Sequence, residues 1–338
     1  MIIHARAPVR VDFAGGWSDV PVFADTEGGV VTNAALAAYV YVECRLGGRR
    51  ISLHAEDLGV RAVVDGPTDL AYDGTLDLHK AALNMLPVTG GLELLTRSDV
   101  PRGSGLGASG ALDVALVAAL ACARADRYSP VELAELGFTL EATELNLEGG
   151  RQDQYAAALG GWHELTFRKG GVEARRIVAD ADAWRDLERH LVLAYTGQSH
   201  FSFETHRRVW TAYESGQSDV VSAIHAMRDL GREASAALTA GDWRALARVV
   251  DDNWRCQRRL DFTISTAAVQ QVEDAARAAG AWGIKATGAG AGGCLLAIAP
   301  PDAVPDIRRA VGAAGATVLD ATFADQGVEI RVQDADGD

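Results

Sequence analysis

Three glycine-rich segments stand far apart in the chain: 14–19 (Ala-Gly-Gly-Trp-Ser-Asp), 101–111 (Pro-Arg-Gly-Ser-Gly-Leu-Gly-Ala-Ser-Gly-Ala) and 287–294 (Thr-Gly-Ala-Gly-Ala-Gly-Gly-Cys). The middle one has the residue types needed to hold an anion. Glycine lets backbone amides approach a ligand closely, and the apolar run that follows predicts a helix whose N-terminus adds partial positive charge. Gly103, Ser104, Gly105, Leu106, Gly107, Ala108, Ser109 and Gly110 would then form a phosphate cradle. It is not a Walker A loop, because no Gly-Lys-Ser/Thr follows. A tight structural turn is the other reading of such a segment, and its pairing with the two other glycine segments is what favours phosphate chemistry. Asp153 is a second candidate. It opens a short helix after Gly149 and Gly150, where a plain capping role competes with a chemical one.

These residues need elements to hold them. Val9, Val11 and Phe13 alternate with Arg10 and Asp12, which predicts a strand with one packed face and one charged face. Strands are also expected over 30–36, 39–45, 50–53 and 92–97. The stretch 109–123 is apolar nearly all round and predicts a buried helix. Ser129, Pro130 and Glu132 occupy the N-cap, N1 and N3 positions of a capping box, opening a helix that runs through Leu140 toward Leu147. From about residue 181 the patterns turn helical, over 203–214, 220–238, 243–260 and 266–279. Strands at 282–286 and 294–299, a helix near 303–314 and strands at 317–321 and 328–332 give a βαβ-rich end.

At 338 residues the chain exceeds the size at which one core stops growing, so two lobes are expected. Hydrophobic residues make up 48% and charged residues 23%, the balance of a soluble globular protein. No run of about 18 apolar residues is free of charge and glycine, and the N-terminus reads as a strand rather than a signal peptide. The net charge of −14, with no basic block longer than two residues, argues against nucleic acid or an anionic membrane as partner. A phosphate site in such a chain must rely on backbone amides, helix N-termini and metal. Cys44, Cys122, Cys256 and Cys294 form no CxxC pair and read as four buried thiols of a reducing, cytoplasmic compartment.

Residues 7–19 (Ala-Pro-Val-Arg-Val-Asp-Phe-Ala-Gly-Gly-Trp-Ser-Asp) resemble the first motif of the GHMP kinases, the family of galactokinase, homoserine kinase, mevalonate kinase and phosphomevalonate kinase. Residues 101–111 resemble the second motif and 285–295 the third, in the same order and spacing, so the resemblance covers nearly the whole chain. Within the family, 149–155 (Gly-Gly-Arg-Gln-Asp-Gln-Tyr) is similar to the Gly-Gly-Lys-Gln-Asp-Gln-Tyr run of D-glycero-D-manno-heptose-7-phosphate kinases. Residues 15–19 and 195–198 (Tyr-Thr-Gly-Gln) resemble fucokinase domains. Three departures stand out. The family's serine cluster is reduced to Ala108-Ser109-Gly110, Ala291 stands where glycine is usual, and His200 stands where this branch often has arginine.

The resemblance implies an α+β fold of two lobes. Residues 1–180 would form an ATP-binding domain like the second domain of ribosomal protein S5, and 181–338 a ferredoxin-like domain, in a monomer or homodimer. It implies a kinase that uses ATP and Mg²⁺ to phosphorylate the anomeric hydroxyl of a sugar or sugar phosphate. Asp153 matches the catalytic base, although a helix-start aspartate is favoured ionised and so is a weak one. Arg10 matches the first-motif arginine beside the transferring phosphoryl group. Ser109 and Glu141 match the Mg²⁺ ligands, Asp19 the aspartate that holds sugar hydroxyls, and Trp17 would offer a flat surface to the ring. Gly16, Gln198, Gly288 and Gly290 complete the implied acceptor site, with His200 a further specificity candidate. Two other classes share the fold: an ATP-dependent decarboxylase, opposed by Glu141 and Gln152-Asp153-Gln154, and a silent sugar sensor, opposed by Asp153, Arg10 and Ser109.

Overall fold

A computed structural model describes residues 1–64, 70–198 and 203–333. The chain opens with β1 (Ile2–Ala14), α1 (Pro21–Glu27), β2 (Gly29–Leu46), β3 (Ile51–Ala55) and β4 (Val60–Val64). It continues with α2 (Asp77–Met85), β5 (Leu92–Ser98), α3 (Ala108–Ala123), α4 (Pro130–Thr139) and α5 (Gln152–Leu159). The middle holds β6 (Trp162–Arg168), β7 (Gly171–Arg176), α6 (Ala181–Glu188) and β8 (Leu191–Tyr195). Four helices follow: α7 (Phe203–Glu214), α8 (Ser218–Ala240), α9 (Trp243–Gln257) and α10 (Ala267–Ala278). The last elements are β9 (Gly283–Ala286), β10 (Cys294–Ile298), α11 (Val304–Ala313), β11 (Thr317–Leu319) and β12 (Glu329–Gln333).

The first sheet has the order β12-β1-β2-β5-β3-β4, with β6 and β7 branching from β2. β2 is a single strand of 18 residues where two were expected. Its register against β1 shifts between Pro8 and Val9, a bulge that bends the pair. Its first half then pairs with β6 and its second with β5. β1 carries the expected alternation, but Arg10 and Asp12 are as buried as Val9 and Val11. Its charged face therefore turns into the molecule rather than to water.

The second sheet runs β11-β8-β10-β9, all antiparallel, which is the ferredoxin-like order rather than a parallel βαβ arrangement. One core lies between the first sheet and α3, α5, α8 and α9, and it extends to Leu191, Leu193 and Leu296 on one face of the second sheet. The other face packs Val192, Ala194 and Leu295 against Trp210, Ile224 and Trp254. The α8–α9 hairpin thus belongs to both cores and joins the two sheets.

The capping box forms as expected, with Ser129 accepting from the Glu132 amide and Glu132 from the Ser129 amide. The helix after it stops at Thr139 and gives way to a π-helical turn, Leu140–Glu144. Cys44 and Cys294 are buried, and burial pushes both thiols up to about 12. Cys122 and Cys256 are only half-buried, which corrects the expectation of four buried thiols. No helix among the described residues is long and apolar enough to cross a membrane.

Candidate active site

The second glycine segment carries the chain from β5 into α3. Gly103, Gly105 and Gly107 turn it with φ of 70°, 73° and 73°. No side chain caps α3, so the amides of Ala108, Ser109 and Gly110 are left to a ligand or water. Leu106 anchors the loop from within the core, and its carbonyl accepts from the Arg10 amide at 2.8 Å. The Ser104 carbonyl accepts from the Cys294 amide at 2.7 Å, tying the second segment to the third. A Cβ on Gly110 would lie 2.6 Å from Asp153 Cβ. Its absence lets the start of α5 rest on the start of α3.

Asp153 is the second residue of α5, with its side chain 26% exposed. Arg10 Nε donates to Asp153 Oδ1 at 2.7 Å, and Arg10 Nη1 donates to the Gly105 carbonyl. Burial works against the Arg10 charge, but Asp153, Asp12 and Asp19 outweigh it and raise the guanidinium pKa above its ordinary value. One arginine thus bridges the candidate base and the second glycine segment.

The two candidate metal ligands touch: Ser109 Oγ donates to Glu141 Oε1. Glu141 stands on the π-helical turn, a local widening that recurs at functional sites. Gln154 Nε2 donates to Glu141 Oε2 at 2.9 Å and reaches Asp113 Oδ2 at 3.4 Å. Burial, then the Glu141 charge, pushes the Asp113 carboxyl well above the carboxylate range. Burial raises Glu141 too, against the bond from Ser109. Asp113 was not singled out from the sequence, although an aspartate inside an apolar helix, one turn after Ser109, was a readable signal.

Asp19 is buried and accepts from the Gln152 amide at 3.1 Å. A Cβ on Gly150 would fall 1.8 Å from Asp19 Oδ2, so that glycine makes room for the carboxylate. Burial lifts the Asp19 pKa to about 6; the Gln152 bond opposes this and the Asp153 charge adds to it. Gly16 faces Asp12 and Gln152. Trp17 adopts φ 76°, is 4% exposed, and stacks on His206 with ring centroids 4.4 Å apart. Its indole is a side chain of the second core, which corrects the expectation of an open platform for a ring.

The third glycine segment closes the cluster. The Gly288 amide donates to Asp12 Oδ1 at 3.2 Å, and Gly290 rests against Ile264. The Gln198 carbonyl accepts from the Gly293 amide at 2.8 Å, while the Gln198 side chain is exposed. His200 lies outside the described residues. Lys285, assigned nothing from the sequence, is fully buried and donates to the Asp12 carbonyl at 2.9 Å and to its carboxylate. The signal for it was slight: a lysine within an apolar strand, in a chain with only three lysines.

Residues 72–161 match the family model described as "GHMP kinases N terminal domain", and residues 234–317 match "GHMP kinases C terminal". A D-glycero-alpha-D-manno-heptose 7-phosphate kinase of Campylobacter jejuni is 28% identical over 344 residues, 97% of this chain and 98% of that protein. A bifunctional fucokinase/GDP-fucose pyrophosphorylase of Arabidopsis thaliana is 28% identical over 315 residues, 86% of this chain and 29% of that longer protein. The crystal structure of a D-glycero-D-manno-heptose 1-phosphate kinase from Bacteroides thetaiotaomicron superposes with a TM-score of 0.81 at 25% identity, covering 98% of this chain and 100% of that one. With three glycine segments meeting in one site and both family models matched in chain order, this chain belongs to the GHMP kinases, a family of phosphotransferases.

Proposed function

We propose that the chain transfers the γ-phosphoryl group of ATP to the anomeric hydroxyl of a sugar or sugar phosphate. The observation that carries this reading is the position of Asp153, held by Arg10 beside the uncapped start of α3, with the Ser109–Glu141 pair close by. Amides of residues 103–110 would bind the phosphates. Ser109 and Glu141 are hard oxygen donors and fit Mg²⁺, which takes only one or two protein ligands when phosphates and waters fill its shell. Bound there, Mg²⁺ would neutralise charge on the β- and γ-phosphates.

In the transfer, the acceptor oxygen bonds to the γ-phosphorus as the bond to the ADP oxygen breaks, and the hydroxyl proton passes to Asp153. Asp153 Oδ1 is engaged by Arg10, leaving Oδ2 for the hydroxyl. Arg10 fixes that carboxylate and faces the phosphate loop, so its charge also opposes the negative charge on the group in flight. Asp19 would accept hydrogen bonds from ring hydroxyls and turn C1 toward the phosphate.

An anomeric hydroxyl is more acidic than an ordinary alcohol, which suits a carboxylate at a helix start as its proton acceptor. Similarity to heptose 7-phosphate kinases along the full chain favours D-glycero-D-manno-heptose 7-phosphate or a related sugar. A fucose-like free sugar is the second reading, favoured by residues 15–19 and 195–198. A panel of free and distally phosphorylated sugars, read by ADP release, tests the substrate class. Phosphorus–proton coupling in the product should place the phosphate on C1. A phosphate on a primary hydroxyl, or on a non-sugar alcohol, would refute the C1 assignment and leave the kinase standing.

A further inference from the structure

Helix α9 touches two of the three glycine segments through two buried amides. Asn253 Oδ1 accepts from the Gly15 amide at 3.0 Å, and Gln257 Nε2 donates to the Gly288 carbonyl at 2.9 Å. The two residues are four apart, hence on one face of the helix, and neither is more than 1% exposed. Gly288 in turn donates its amide to Asp12 Oδ1 at 3.2 Å, and Asp12 lies three residues before Gly15. Three hydrogen bonds and two stretches of chain close a ring: Gly15 to Asn253, along α9 to Gln257, through the Gly288 backbone to Asp12, and along the chain back to Gly15. Gly288 also sits against the phosphate loop, since a Cβ there would be 3.0 Å from the Gly105 carbonyl.

We propose that Asn253 and Gln257 are positioning residues, a two-point clamp that sets the first glycine segment against the third. Neither hydrogen-bonds to Asp153, Arg10, Ser109, Glu141 or Asp19. They act through the backbone of Gly15 and Gly288, which fixes the acceptor end, where Asp19 sits, relative to the phosphate end. Reach and polarity suit the task. A buried amide can donate or accept without carrying a charge into a region that already holds Asp12, Asp19 and Lys285. The link from Lys285 to Asp12 holds the same strand from β9, so the clamp works on a loop whose base is already fixed.

The proposal rests on the kinase reading for its effect on turnover, but its structural content can be measured separately. Gln257→Leu and Asn253→Ala, singly and together, would be compared with the parent chain by hydrogen exchange, melting temperature, nucleotide binding and turnover. Gln257→Leu should speed exchange at 287–293 and, through the ring, at 14–16. It should lower kcat by about 10- to 100-fold through misplacement of the two ends, with nucleotide affinity nearly unchanged. The double variant should be no slower than the slower single one, because a clamp opened at one corner is already open. Unchanged exchange at 14–16 in Gln257→Leu overturns the clamp even if the parent shows no sugar kinase activity, an outcome that would instead sink the kinase reading. Losses in kcat that multiply in the double variant, or that follow melting temperature alone, also overturn it.

Discussion

Arg10 Nε and Asp153 Oδ1 lie 2.7 Å apart, joining a residue of the first strand to one 143 positions later at the start of α5. The pair makes the orientation of the Asp153 carboxylate a property of the fold rather than of the bound acceptor. In the proposed transfer a carboxylate held in place can serve where a freely rotating one would not, since much of the barrier in such transfers is one of placement.

Asp153→Asn should keep the fold and nucleotide affinity while reducing turnover by about 10²–10⁴-fold. Arg10→Lys should also be slow, because a single ammonium cannot span Asp153 and the Gly105 carbonyl as the guanidinium does. Steady-state kinetics of both and of the double variant test the pairing. If the double loss equals the product of the single losses, the two residues act independently.

Ser109→Ala and Glu141→Gln should each raise the Mg²⁺ concentration needed for half-maximal rate, because each removes or weakens an oxygen donor of the touching pair. Titration of turnover with Mg²⁺ at saturating ATP is the measurement. Curves that overlay the parent's would place the ion elsewhere.

The raised pKa of Asp19, about 6, gives a pH dependence with a definite sign. Above that value the side chain is a carboxylate and can accept from ring hydroxyls; below it the group is neutral and loses acceptor capacity. kcat/KM for the sugar should therefore fall as pH drops through about 6, while nucleotide binding changes little. In Asp19→Asn the acidic fall attributable to this group should vanish, leaving a lower rate. A parent profile that is flat from pH 7 to pH 5 would remove Asp19 from the acceptor site.

Ala291 stands at φ 65°, in the left-handed region, where the family usually has glycine. Its amide is held by the Ile264 carbonyl at 2.7 Å, so the loop cannot relax the angle without losing that bond. Ala291→Gly should relieve about 1 kcal/mol of backbone strain and raise the melting temperature by about 1–3 °C. A lower melting temperature would show that the methyl group's burial outweighs the strain.

Much of the framework around this site was legible because local signals carry it, whereas the site residues themselves were expected from the resemblance of three motifs. The alternation in β1, the apolar α3 and the Ser129 capping box each depend on residues within a turn or two of one another. What stayed hidden depends on distant partners. Lys285 is explained only by Asp12, 273 positions away, and Asn253 only by Gly15, 238 positions away. Asn253 does not differ in its local pattern from a solvated side chain, and Lys285 differs only by the apolar strand around it. The strand β8 was missed for another reason: a five-residue apolar run fits a buried helix segment as well as a strand. The π-helical turn that carries Glu141 has no period to read, since it is a local departure from the 3.6-residue repeat. Trp17 misled because an aromatic beside a binding loop looks the same in sequence whether it faces a ligand or His206.

The outer edge of β1 is covered by β12 over Ile2–Arg6, and the ion pair of Arg6 with Glu329 joins residues 323 positions apart. During synthesis, residues 2–6 of the strand that bears Arg10 and Asp12 therefore wait with their outer amides and carbonyls unpaired until residue 329 and those after it leave the ribosome. An edge left open that long can pair with another nascent chain. A product terminated before residue 329 would retain every side chain named in the site and still present that edge, so its loss would be seen as aggregation during expression rather than as an inactive soluble enzyme.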